Sequence, residues 1–170
     1  PAKDVRLVGM ERDEELTQLA RLLREQRWAA LATVNDDGTP YSSQVAFVVQ
    51  PDFDAALLHL SGLAAHTKNL VTRPQVSLSV TEPDDGRDDP QTLARVSLQG
   101  TVEVLSKEGE GYAAGRRRYL NKLPAAEPLF GFGDFQLFRL NVEQARFVGG
   151  FARARTFGAK ALKRAALLDF

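Results

Sequence analysis

The stretch that decides the fold reads Leu58-His59-Leu60-Ser61-Gly62-Leu63-Ala64-Ala65-His66-Thr67-Lys68-Asn69-Leu70. An apolar run passes through a glycine turn into a short segment of helical character, which Pro74 ends. A strand feeding a helix N-terminus leaves backbone N–H groups unpaired at the positive end of the helix dipole. That arrangement favours an anion such as phosphate. Ser61 and Thr67 add hydroxyl donors, Lys68 a full charge, and His66 and Asn69 further donors. In isolation the plainer reading is the stronger: Ser61 or Thr67 caps the helix, Lys68 is a solvated charge, and His66 is incidental.

Working outward, Asp13 reads as the cap of a helix carrying Glu14 and Glu15 in its first turn, with Leu16, Leu19, Ala20 and Leu23 on one face. From Trp28 the text becomes Ala-Ala-Leu-Ala-Thr-Val, a mostly buried strand. Asn35-Asp36-Asp37-Gly38 is a hairpin turn, and residues 41–49 form the returning strand behind Pro40. Further strands are expected at 56–60, 76–80 and 94–105, the last with a bulge at Gly100. Residues 107–120 read as a surface helix and 124–130 as a helical turn. Residues 135–140 and 145–148 read as the last strands, and 159–168 as a basic amphipathic tail helix. Hairpin-linked strands with short inserted helices predict a mainly β chain, an antiparallel sheet curled into a small barrel. No linker divides it: residues 1–170 read as one domain, with an arm at 1–12 and a helical tail at 156–170.

Twenty-two basic and twenty-two acidic side chains cancel, so the global field points to neither nucleic acid nor an anionic membrane. The triple Arg116-Arg117-Arg118 reads as an exposed helix face rather than a nucleic-acid patch. The absence of cysteine removes disulfides, thiolate metal sites and cysteine nucleophiles. With only His59 and His66, no protein-only metal centre is expected. The acidic loop 82–91 lacks the spacing of a calcium loop and reads as solvated. No run approaches the ~20 apolar residues of a membrane span, and none at the start resembles a signal peptide, so a cytoplasmic location is the default.

Several runs in order carry a resemblance. They are Leu31-Ala32-Thr33-Val34 with Gly38 and Pro40, then 58–70, then Ala94 to Gly100, then Phe147-Val148-Gly149-Gly150-Phe151-Ala152. Together they resemble the pyridoxamine-phosphate-oxidase-like family of flavin-binding split β-barrels, nearest its haem-utilisation branch. The resemblance tips the reading of 61–69 toward a phosphate site. It implies an FMN-dependent oxidoreductase acting on a small molecule, as a homodimer that builds the site across its two-fold interface; the alternatives are a haem-binding or haem-degrading protein on the same fold, and a non-catalytic dimeric binding module. It implies cofactor contacts from Ser42, Ser43, Gln44 and Val45, from Ser61, His66, Thr67, Lys68 and Asn69, and from Arg95 and Gln99. Arg95 reads equally well as a surface arginine, and no catalytic acid or base is identified. The vitamin-forming oxidases carry an arginine and a lysine where this chain has Ser43 and Val48, which puts a larger share of phosphate binding on Lys68. For a haem-handling chain the sequence offers Tyr112, Tyr119 and His59 as iron ligands, with nothing to position them.

Overall fold

The computed structural model describes residues 2–150 and 153–170. Its architecture turns on one break in the chain. Strands β1 (Trp28–Val34) and β2 (Pro40–Ala46) form an antiparallel hairpin, and Phe47 then leaves the ladder, its N–H donating to the carbonyl of Arg27. The two residues of β3 (Val48–Val49) pair instead with β4 (Ala55–Ser61). The sequence predicts one strand over 41–49. The fold splits it because Val45, Phe47, Val48 and Val49 are all buried, which strict alternation on one sheet cannot achieve.

The remaining strands are β5 (Gln75–Thr81), β6 (Arg95–Leu105), β7 (Phe135–Val148) and β8 (Ala154–Phe157). They complete an eight-stranded antiparallel sheet of order β2-β1-β5-β6-β7-β4-β3, with β8 also on β7. Because β2 and β3 are one residue apart in the chain but lie at opposite ends of that order, the sheet curls back on itself into a split barrel.

Residues 135–148 form a single long strand, where the sequence suggested two. Its irregularity is a register shift opposite the Gln99/Gly100 step. Gly100 is the bulge the sequence predicted: a Cβ there would overlap the carbonyl oxygen of Asn141.

The barrel interior is filled by Leu31, Phe47, Leu58, Leu78, Leu98, Phe138, Leu140 and Phe147. Each fully buried side chain of this size contributes roughly 1.5–3 kcal/mol. Helix α1 (Ala2–Glu25) packs on the barrel through Leu16, Leu19, Ala20 and Leu23, and α4 (Ala159–Ala166) adds Leu162 and Ala165.

The helix does not begin at Asp13: its backbone runs back to Ala2. Within it the Asp13 carbonyl accepts a hydrogen bond from the Thr17 hydroxyl at 2.8 Å, while the Asp13 carboxylate meets Arg164 at 3.2 Å.

Strand β4 is buried almost throughout because both its faces are covered. Leu58 faces the barrel. Leu57, with Leu137, faces a second cluster under α3 (Tyr112–Lys122) and the 3-10 segment Pro124–Gly131. Helix α3 starts five residues later than predicted. Gly109 closes a turn onto Ser106, and Gly111, at φ +89°, starts the helix from the left-handed region. The hairpin into β8 passes through Gly149, whose N–H donates to Arg153, and Gly150 at φ +135°. That places a strand where the sequence suggested the start of the tail. Phe151 and Ala152 lie outside the described residues.

Candidate functional site

Helix α2 (Ala65–Thr72) follows β4 through the turn Gly62-Leu63-Ala64. Its N-cap is Ala64, which has no side chain able to cap, so neither Ser61 nor Thr67 takes that role. The N–H groups of Thr67 and Lys68 fold back onto the Ala64 carbonyl at 3.1 and 3.2 Å. Those of Ala65 and His66 find no acceptor among the described residues. The helix start therefore presents two backbone donors, the dipole and, from its exposed surface, Lys68.

The side chains around it divide by direction. Ser43, on the edge strand β2, places its Oγ 3.1 Å from His66 Nδ1. Burial holds the His66 imidazole below its ordinary pKa, so the ring is neutral near pH 7. Thr67 is 2% exposed and its hydroxyl has no hydrogen-bond partner among the described residues. Asn69 turns inward, its amide donating to Thr33 Oγ1 at 3.1 Å and Asn35 Oδ1 at 2.8 Å, which ties α2 to the first hairpin. Ser61 ends β4 by donating to Asp134 Oδ2 at 2.6 Å, and it accepts from the Leu63 N–H at 3.2 Å. Asp134 brings a carboxylate to the rim from 73 residues away. Nothing in the sequence marked it, because the contact depends on β4 pairing with β7 from Ser61↔Phe135 onward.

The β2 residues cannot share one environment, because side chains alternate along a strand. Val45 is in the barrel core opposite Ala29. Ser42 and Gln44 are exposed on the other face, opposite Ala32 and Ala30. On that outer face the register runs Ser42–Ala32–Ser77–Gln99, so Gln99 stands three strands from Ser42, about 14 Å at ~4.8 Å per strand. Its amide is engaged by Gln144. Arg95 lies further along β6, and its Nη1 donates to the carbonyls of Gln91 at 2.9 Å and Leu93 at 3.1 Å. The chain therefore brings together Ser43, His66, Thr67 and Lys68, and leaves Arg95 and Gln99 on a separate part of the sheet.

Three of the large exposed apolar side chains lie in the same segments: Tyr41 on β2, Leu63 in the turn and Val71 on α2, at 38%, 76% and 66% exposure. Two of the alternative iron ligands, His59 and Tyr119, are enclosed. His59 stacks on Phe130 at 3.7 Å between centroids, with Tyr119 at 5.9 Å. Burial first, then Lys107, push the His59 pKa down to about 4, and burial raises Tyr119 to about 12. Tyr112 is half-buried. Among the described residues no group of three or more potential metal ligands occurs, and no helix is long and apolar enough to cross a membrane.

Residues 16–149 match the family model described as pyridoxamine 5'-phosphate oxidase. The chain is 35% identical over 119 residues to the non-canonical haem oxygenase HOZ of Arabidopsis thaliana, covering 69% of this chain and 34% of that protein. It is 27% identical over 138 residues to the haem oxygenase HutZ of Vibrio cholerae, covering 81% and 77%. A solved haem-binding protein from Mycobacterium smegmatis superposes with a TM-score of 0.77 at 30% identity, covering 88% of this chain and 60% of that one. The chain thus spans about a third of the plant relative and three-fifths of the mycobacterial chain.

Proposed function

The chain belongs to the pyridoxamine 5'-phosphate oxidase family, and from that footing we propose that it binds haem, as part of haem turnover, and works as a homodimer. The observation that carries the reading is the agreement of its relatives. The plant and Vibrio proteins are both named haem oxygenases, and the mycobacterial structure is named a haem-binding protein.

The residues at the start of α2 suit such a ligand. Haem is a flat apolar ring with two carboxylates, and the exposed Tyr41, Leu63 and Val71 offer apolar surface while Lys68 and the free N–H groups offer anion donors. Of the two histidines, His66 is the less buried. With Nδ1 held by Ser43 and the ring neutral, its Nε2 is the imidazole atom we assign to the iron. In haem turnover the haem is itself the substrate, oxidised by dioxygen with electrons from a reductant, and the chain's part is to hold and orient it. β2 is an edge strand and the face beside it is open, so a second copy of the chain is what would exclude water there.

FMN is the second reading, and one observation favours it. The Thr67 hydroxyl, the free N–H groups of Ala65 and His66, and Lys68 form a cradle of a kind that binds phosphate. A bound flavin would supply hydride or electron transfer at its ring, and these residues would hold its phosphate.

The test is an absorption titration of the purified protein with haemin and, separately, with FMN. Haem binding predicts a saturable Soret band, shifted in position by His66→Ala, with affinity lowered about tenfold by Lys68→Ala, the equivalent of ~1.4 kcal/mol. Tight, Lys68-dependent binding of FMN with only the free-haemin spectrum would replace the haem reading by the flavin one.

A further inference from the structure

On the far side of the second apolar cluster, a cavity of about 250 Å³ is lined by Arg24, Val48, Val49, Arg118, Asn121 and Lys122. Three of those six residues are cationic and none is acidic. The cavity between α1, β8 and α4 is likewise lined by three cations, Arg146, Arg155 and Arg164, and what separates the two is how the charges are paired. There Arg155 meets Glu15 at 2.7 Å and Arg164 meets Asp13 at 3.2 Å, whereas Arg24, Arg118 and Lys122 meet no carboxylate among the described residues.

The three cations are placed by the fold. Arg118 and Lys122 are one turn apart on α3 and so share a helix face. Arg118 donates through Nε to the Val49 carbonyl at 3.1 Å, and its two terminal nitrogens have no partner among the described residues. Lys122 Nζ donates to the Gln26 carbonyl at 2.5 Å and approaches the Leu23 carbonyl at 3.5 Å, where α1 ends, and it lies 5.2 Å over the Phe47 ring. Arg24 is fixed by the carbonyls of Leu168 and Ala166 at 2.5 and 2.6 Å.

Every acceptor these groups have found is therefore a neutral carbonyl oxygen. Carbonyl dipoles satisfy individual hydrogen bonds but do not neutralise three full charges. Burial first, and then the nearby Arg118, hold the Lys122 amine down to about 8.

We propose that this cavity is a second ligand site, distinct from the α2 site, that binds an oxyanion of a small molecule, a phosphate or carboxylate group, between Arg118 and Lys122. The unused terminal nitrogens of Arg118 give the forked donor geometry that oxyanions accept in pairs. The cavity holds about eight times the ~30 Å³ share of one liquid water, so an oxyanion enters with room for a short organic stem. The binding would also clamp α3 to the end of α1 and to β3, three elements that meet there.

The experiment is a titration of the isotope-labelled wild-type protein with inorganic phosphate, and in parallel with acetate, followed by amide chemical shifts. Saturable shifts at Val48, Val49, Asn121 and Lys122, separate from any at 64–68, are expected. The two anions distinguish a phosphate site from a carboxylate one. Arg118→Gln and Lys122→Met should each weaken this binding about tenfold, while Arg116→Gln, whose guanidinium lies over Phe130 outside the cavity, leaves it unchanged. Absence of saturable shifts at these four residues with both anions, or an affinity that Arg118→Gln does not change, would overturn the proposal. Either result leaves the α2 site untouched.

Discussion

His59 makes the stability of this protein sensitive to mild acid, and the size of the effect follows from its position. The ring is 8% exposed, stacked on Phe130, and its Nδ1 has no hydrogen-bond partner among the described residues. Protonation in the folded state would place a charge among aromatic rings with Lys107 nearby, so the folded pKa is about 4 against an ordinary 6.5. The unfolded chain takes up the proton first. Stability is therefore full above pH 6.5 and is lost progressively as pH falls toward 4. At 1.36 kcal/mol for each pH unit between those values, the loss comes to about 3 kcal/mol. The perturbation is His59→Leu, an apolar side chain that cannot titrate. Urea unfolding of both proteins at steps from pH 7 to pH 4 gives the difference in stability at each pH. Groups common to both cancel in that difference, including His66 and the exposed carboxylates of Asp37, Asp85 and Glu108. Lys122 stays protonated in both states over this range, since its pKa is about 8 when folded. The variant should gain about 3 kcal/mol on the wild type between pH 7 and 4. Stability profiles that run parallel would refute the reasoning, because they would mean that His59 is protonated equally in both states.

Two further outcomes concern packing and charge. Gly100→Ala drives a methyl into the Asn141 carbonyl and should cost about 3 kcal/mol in thermal or urea unfolding, whereas Gly131→Ala, which meets nothing within 4 Å, should change stability by less than about 0.5 kcal/mol. Arg155→Met strands the carboxylate of Glu15, which is 5% exposed; because Arg155 itself is about one-third exposed, the expected cost is about 2 kcal/mol. Adding Glu15→Gln should recover most of that loss, and a double variant no more stable than Arg155→Met would show that the ion pair is not its cause.

Much of the candidate site was legible in the sequence because it is local. The turn 62–64, the short helix and Lys68 follow from fewer than ten consecutive residues, and a helix start exposes its N–H groups whatever surrounds it. The direction of each side chain was not legible. Thr67 and Asn69 lie two residues apart, yet both are buried, one without a partner and the other bonded to the first hairpin. Ser61 is engaged by Asp134 only because β4 and β7 are adjacent. Asn69 and Ser61 looked like free donors because their partners are 34–36 and 73 residues away.

The same division holds for the whole molecule. Alternation, turns and helix periodicity determined that the chain is an antiparallel barrel with short inserted helices, since each of those signals is read within a few residues. The split at Phe47, the continuous β7 and the short β8 were decided by tertiary structure, because each depends on which distant surface covers the segment. Position 61 in particular was written in the sequence as the end of a strand before a helix. Only the barrel's closure decided that its hydroxyl would meet a carboxylate, leaving Lys68 and the open N–H groups of α2 to face an anion.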